Sequence, residues 1–317
     1  MGKRTRKIAD QRTGRRAGKK IGKRIGMFLL VLLLLCLGSV WISYNWLTVS
    51  HFTVTDSKIV APFRIVLISD LHSHRFGKQN AKLVAKIRDQ SPDLIVLDGD
   101  IINGDSENDE IAVELVRALS PIAPIYYSYG NHENAYQEAG HVDLREDLEA
   151  AGAFVLDGQY TDVEVNGNSL RLGGLYEYGF DTSMQSEEEN ERAIFYLESF
   201  ADTAAEVDTA ADRDTDTDTY LIMCAHRPES FYCWDYADTW GIDLVLSGHL
   251  HGGQVIIPGL GGLYSSLEGF FPPIDYGQYK LGDSDMIVTR GLGSSFEVLP
   301  RFNNPPEIAV VDVQPEE

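Results

Sequence analysis

Five short polar clusters carry the residues able to do chemistry: Asp70-Leu71-His72, Gly99-Asp100, Gly130-Asn131-His132-Glu133, Ala225-His226 and Gly248-His249-Leu250-His251. They supply two Asp, one Asn and five His, oxygen and imidazole donors that suit divalent transition metals rather than Mg2+. Two such ions a few Å apart clamp a phosphoryl group for attack by water. Asp-x-His and His-x-His set alternate side chains on the same side of an extended backbone, so each pair is expected to point one way. Asp100 taken alone reads more readily as a satisfied turn aspartate than as a ligand, and one His at a strand end is commonly structural. Packing does not explain several such sites in order, because each buried polar group costs roughly a few kcal/mol without partners.

Each cluster stands where an apolar run of strand length ends. Such runs lie at 64–69, 94–97 and 125–128, with helical spacing over 78–90 and 109–119 between them. This β-α-β-α-β alternation predicts an α/β fold with a largely parallel, buried sheet and the clusters beyond the strands' carboxyl ends. After residue 153, short runs at 153–156, 161–165 and 169–173, punctuated by Asp-Gly and Asn-Gly, predict antiparallel strands. Runs at 221–224 and 244–247 each precede a histidine cluster, and further strands are expected at 253–257, 286–290 and 308–312. Clusters from both halves must converge, so residues 62–317 are expected to form one domain. Residues 201–219, rich in Asp and Thr and without periodicity, are expected to be an acidic low-complexity surface insertion. They lack the turn glycine and terminal Glu of a calcium loop.

The charge is unevenly placed. Of 27 Lys/Arg and 48 Asp/Glu, eleven basic residues and one acid (Asp10) fall within residues 1–26, which leaves −31 on the remainder. A body so acidic argues against a nucleic-acid partner. Met27–Ile42 is uncharged, and with the continuation to Leu47 the run reaches about 20 residues, enough for a helix across a bilayer. Trp41, Tyr44 and Trp46 gather at its far end, as interfacial aromatics do, and the basic flank marks the cytoplasmic side. The expected order is a basic cytoplasmic arm (1–26), a transmembrane anchor (27–47), a linker (48–61) and an extracytoplasmic domain, in a single-pass cell-membrane protein. Arg15-Arg16 also fits a cleaved twin-arginine signal, but bulky aromatics occupy the place of a small-x-small cleavage site. Cys36, Cys224 and Cys233 include no CxxC pair and allow at most one disulfide in the soluble part.

The order D-x-H, G-D, G-N-H-E, H, G-H-x-H, set in ISDLHS, PDLIVLDGDII, LSGHLHGGQ and the tail RGLG…PRFNNPPEI, resembles the calcineurin-like metallophosphoesterase superfamily. Within it the text is similar to the YkuE-like bacterial membrane-associated branch, over about residues 62–312. The resemblance implies a four-layer αββα sandwich of two mixed sheets and two divalent metal ions (Mn2+, Fe2+/Fe3+ or Zn2+). It implies that Asp70, His72 and His251 hold one metal, that Asn131, His226 and His249 hold the other, and that Asp100 bridges them. A hydroxide shared by the metals would be the nucleophile, and His132 the catalytic residue that stabilises the transition state or protonates the leaving group.

Asn103 departs from the family's common G-D-x-x-D, at a position that supports rather than ligates. Glu133 is expected to orient its neighbours, His74 and His141 to sit at surface or supporting positions, and His51 to lie near the membrane. Arg290 and Arg301 could pair a phosphate or form structural salt bridges, and 252–254 with 259–264 could shape the pocket rim. The implied function is hydrolysis of a phosphomonoester or phosphodiester of the membrane or cell envelope, with a lipid or glycolipid head group as candidate substrate. A UDP-2,3-diacylglucosamine-type pyrophosphate hydrolase would instead need a cytoplasmic site. A metal-free scaffold would be expected to have lost ligands, and all seven positions are kept.

Overall fold

The computed structural model describes residues 2–175, 187–202, 219–232, 240–265, 269–294 and 299–316. A long helix α1 (Gly2–Asn45) leads into β1 (Thr48–Asp56) and β2 (Phe63–Ile68). There follow α2 (Ala81–Arg88), β3 (Leu94–Asp98), α3 (Glu110–Leu119), β4 (Ile125–Ser128), α4 (Asn131–Glu138), α5 (Leu144–Ala151) and β5 (Ala153–Val155). The second half holds β6 (Gln159–Val165), β7 (Asn168–Leu175), α6 (Glu187–Asp202), β8 (Tyr220–Ala225), α7 (Glu229–Tyr232) and β9 (Leu244–Ser247). The chain closes with β10 (Gly277–Leu281), β11 (Ser284–Val288) and β12 (Glu307–Pro315). Two small hairpins of two-residue strands, at 256–262 and 264–270, separate β9 from β10.

The strands form two six-stranded mixed sheets, β1-β12-β2-β3-β4-β5 and β10-β11-β9-β8-β7-β6. Their centres are parallel: β2 through β5 in the first, β11-β9-β8-β7 in the second. Strand alternation then builds the layers. Val66, Ile68, Ile95 and Leu97 face helices α2, α3 and α5, while Ile65, Leu67, Leu94 and Val96 face the second sheet. That sheet offers Leu172, Ile222, Cys224 and Leu246 inward, and Leu221, Met223 and Val245 to α6 and α7. The result is the four-layer α/β sandwich expected from the sequence.

Several expectations are corrected. Residues 48–61 are not a linker: β1 pairs in parallel with β12 from Thr48↔Glu307 to Asp56↔Pro315. Of the runs at 153–156, 161–165 and 169–173, the last two pair antiparallel as anticipated, as β6 with β7, whereas β5 joins β4 and β7 joins β8 in parallel. The strand expected at 253–257 shrinks to Ile256–Ile257 after a 3-10 turn, His251–Gly253. Helix 78–90 begins as a 3-10 turn and is regular only over Ala81–Arg88, burying Leu83 beside Val84 and Ile87. Most of the expected insertion at 201–219, and Cys233, lie outside the described residues. The basic stretch before residue 27 continues α1, whose Gly22–Asn45 portion contains an 18-residue stretch of mean hydropathy 2.7. By length and composition it is a candidate membrane span or signal sequence.

Candidate metal centre

The clusters all lie at carboxyl ends of parallel strands: Asp70 after β2, Asp100 after β3, Asn131 after β4, His226 after β8, and His249 with His251 after β9. The backbone there is not extended. Asp70, His72, Asp100, His249 and His251 have φ of 54, 47, 55, 66 and 48°, so the same-side argument from strand alternation is replaced by left-handed turns. Such conformations cost about 1–3 kcal/mol each and persist where surroundings enforce them. Here the loops after β2 and β3 lock together, with Asp70 N donating to Gly99 O (3.0 Å), His72 N to Asp100 O (2.9 Å) and Ser73 N to Ile101 O (3.0 Å). Gly130 is needed for closeness: a Cβ there would collide with Asp100 Oδ1 and lie 2.8 Å from Asp100 N.

Two carboxylate oxygens form the hub. Asp70 Oδ1 lies 3.9 Å from His72 Nε2 and 3.8 Å from both His226 Nε2 and His251 Nε2. Asp100 Oδ2 lies 3.2 Å from His226 Nε2, 3.8 Å from His72 Nε2 and 3.9 Å from His132 Nε2. Donor atoms of Asp70, His72 and His251 fall within 4.8 Å of one another, as do those of Asp100, His226 and His249.

Hydrogen bonds fix which nitrogens face inward. His72 Nδ1 donates to Asn103 Oδ1 (2.9 Å) and His226 Nδ1 to the Asp98 carbonyl (2.7 Å), so each Nε2 faces inward and carries the lone pair when its ring is neutral. Those two Nε2 atoms, His251 Nδ1 and Asn131 Oδ1 are buried without a hydrogen-bond partner. Buried lone pairs around two carboxylates are the donor set of divalent transition metals, and the residues present fit such ions. Asn103, in place of the family's Asp, still supplies the oxygen that orients His72.

Electrostatics agree with that fit. Burial, with the Asp100 charge added, pushes Asp70 up to about 6. Burial also works against ionised Asp100, but His226, His72 and His132 outweigh it and hold that carboxyl well below its usual range. The reciprocal effect keeps His226 protonated: burial opposes its charge, and Asp100, Asp70 and Asp98 overcome it. Burial lowers His72 to about 4 and puts His249 and His251 well below the usual imidazole value. A dication at this place would displace the His226 proton, the usual exchange on metal binding.

Glu133 does what the sequence suggested. Its buried carboxylate accepts from Asp100 N (2.7 Å), Ile101 N (2.9 Å), Gly130 N (3.0 Å) and Tyr127 OH (2.7 Å). Arg290 pairs with Glu307 (2.8 Å), and buried Arg301 donates to main-chain carbonyls, so both are structural. His141 stacks on Tyr136, half-buried His74 lies edge-on to Phe76, and exposed His51 sits 3.9 Å from Asp312.

Some residues escaped sequence reasoning. Helix α4 starts inside the Gly-Asn-His-Glu cluster, with Gly130 as its N-cap and Glu133 three residues on, a capping pattern that the sequence did carry. Asp98, oriented behind His226, and buried Arg227, whose charge helps lower His249, gave no comparable signal.

Two mixed sheets carrying this cluster at their strand ends define a metal-dependent hydrolase of the two-metal class. Residues 63–253 match the calcineurin-like phosphoesterase family, and the chain belongs to that family. It is 28% identical over 261 residues to phosphodiesterase YaeI of Escherichia coli K12, covering 80% of this chain and 83% of that protein. It is 30% identical over 256 residues to the metallophosphoesterase YkuE of Bacillus subtilis 168, covering 78% of each. Similarity to YpbG of the same Bacillus is 25% over 268 residues, 84% of this chain and 87% of that one.

Proposed function

We propose that the chain hydrolyses a phosphodiester or phosphomonoester of the membrane or cell envelope, with Asp70, His72, Asp100, Asn131, His226, His249 and His251 holding two metal ions. The observation that carries this is the convergence of His72 Nε2 and His226 Nε2, both buried without a hydrogen-bond partner, and of His251 Nε2 on Asp70 Oδ1 and Asp100 Oδ2. When bound, the ions would neutralise phosphoryl oxygens and acidify the attacking water, and a His-rich set favours Mn2+, Fe2+/Fe3+ or Zn2+.

His132 is the catalytic residue in this reading. Its Nδ1 accepts the Gly104 N–H at 3.0 Å, which selects the neutral tautomer with the proton on Nε2. That nitrogen points toward Asp100 Oδ2, and its side chain is 18% exposed where the ligand imidazole of His72 is 1% exposed. A partly open N–H beside the hub can hydrogen-bond a phosphoryl oxygen or pass its proton to the leaving alkoxide.

An envelope substrate is supported by the surroundings. The hairpins after β9 expose Leu260, Phe270 and Phe271 at 69, 67 and 54%. They follow Ile256, whose carbonyl accepts from Asn303 Nδ2 while Asn303 N donates to Ser39 of α1, so an apolar rim lies close to the candidate span. The positive-inside rule puts the domain outside the cytoplasm. The test uses the full chain in phospholipid nanodiscs, with aryl monoesters, aryl diesters and a lipid-borne diester. His132→Gln is expected to cut turnover about 10²–10⁴-fold at unchanged metal content. Unchanged turnover in the variant removes His132 from this role, and no hydrolysis of any phosphoester removes the function.

A further inference from the structure

The carboxyl-terminal end of α1 is tied to the centre more closely than a tether requires. Ser43 is fully buried, and its Oγ accepts from Asn304 N at 3.1 Å; Tyr44 OH accepts from Arg301 N at 3.2 Å. From there two threads run inward, each to a different ligand of one metal position. Asn304 Nδ2 donates to the His251 carbonyl at 2.7 Å. Arg301 Nη1 donates to Gly293 O at 2.7 Å, and Gly293 N donates to Asp70 O at 2.5 Å.

We propose that the last turn of the membrane helix is a working part of the centre, with Ser43 and Tyr44 as positioning residues for the Asp70–His72–His251 metal. This rests on the two-metal reading above. The other position is braced from different places: Glu133 holds the Asp100 main chain, and the Asp98 carbonyl holds His226. Loosening the helix end therefore acts first on the Asp70–His72–His251 position and reaches its neighbour only at second hand, through the His249 N–H that the Asp70 carboxylate accepts. Packing transmits the effect, because the segment between Arg301 and Asp70 has no slack. A Cβ on Gly291 would stand 2.6 Å from the Asp70 Cβ. Supporting hydrogen bonds of this kind carry about 10–100-fold in metal affinity.

The test uses the full chain in nanodiscs, stripped of metal and titrated with Mn2+ by calorimetry, with paramagnetic resonance to separate single from paired ions. Ser43→Ala/Tyr44→Phe is expected to weaken one of two binding steps about 10–100-fold and the other distinctly less, with kcat restored at saturating Mn2+. Tyr44→Phe alone, which removes only a hydroxyl, should shift the same step less and serves if the double variant folds poorly. Ser39→Ala frees only Asn303, which holds Ile256 rather than a ligand, and should leave both steps alone. Equal weakening of both steps together with a lowered melting temperature of the metal-free protein makes the contacts merely structural and overturns the proposal, as does no change in either step. A parent chain that binds no metal overturns the two-metal reading and this inference with it.

Discussion

Replacing Glu133 by Gln removes one charge and one acceptor oxygen without changing shape, and the structure makes the cost calculable. Four close donors converge on the carboxylate, Asp100 N and Gly130 N on Oε2, Ile101 N and Tyr127 OH on Oε1, and Ile102 N adds a long fifth contact to Oε1 at 3.5 Å. An amide keeps one oxygen. Its best orientation leaves that oxygen to Asp100 and Gly130, turns the Tyr127 hydroxyl to accept, and sets an NH2 against the Ile101 N–H. Two charge-assisted bonds worth about 1.5–3 kcal/mol each are lost. Relief of a buried charge, which burial and then Asp100 repulsion push toward protonation, returns part of that. A net loss of about 2–4 kcal/mol follows, or roughly 5–15 °C in melting temperature for a domain of this size. Differential scanning calorimetry of the metal-free protein in detergent measures it. Because Asp100 N is the anchor point of a left-handed residue, metal content should fall as well. A melting temperature unchanged within about 1 °C would refute the reasoning. It would mean that Glu133 is a neutral acid that Gln imitates.

Two more substitutions probe the same neighbourhood. Gly130→Ala has an allowed backbone (φ −105°), so its effect is purely steric. The new methyl would press on Asp100 and stand 2.9 Å from His226 Cδ2, costing about 1–3 kcal/mol and lowering metal stoichiometry measured by plasma emission. Asp98 is pushed up to about 8, first by burial and then by the Asp70, Asp100 and Glu133 charges against His226. A folded value above the unfolded one makes its contribution to stability fullest below about pH 4 and lost as pH rises through about 8. Metal-free Asp98→Asn should therefore gain melting temperature over the parent between pH 6 and 8 and lose that gain toward pH 4; a constant difference across this range would contradict the shift.

What the sequence showed and hid follows physical lines. Buried central strands are continuous apolar runs, so β2, β3, β4, β8 and β9 and the clusters after them were legible. The edge strand β1 was not: TVSHFTVTD is half polar, and its partner β12 lies more than 250 residues away. The convergence of Asp70 with His72 was anticipated for the wrong reason. Left-handed turns, which alternation does not report, bring them together. The helix end was hidden in another way. Ser39, Ser43 and Tyr44 look like ordinary residues of an apolar span, and only the fold reveals that loop 301–304 lies against them.

Metal dependence is the central claim, and one titration addresses it. The full chain in nanodiscs is stripped with chelator, Mn2+ is returned stepwise, and bound ions are counted while hydrolysis of an aryl phosphodiester is followed, with His132→Gln alongside. The account predicts two ions per chain, no turnover without them, recovery only as the second ion binds, and two bound ions without recovery in His132→Gln. Turnover that survives stripping, or a chain that binds no ion, would contradict it.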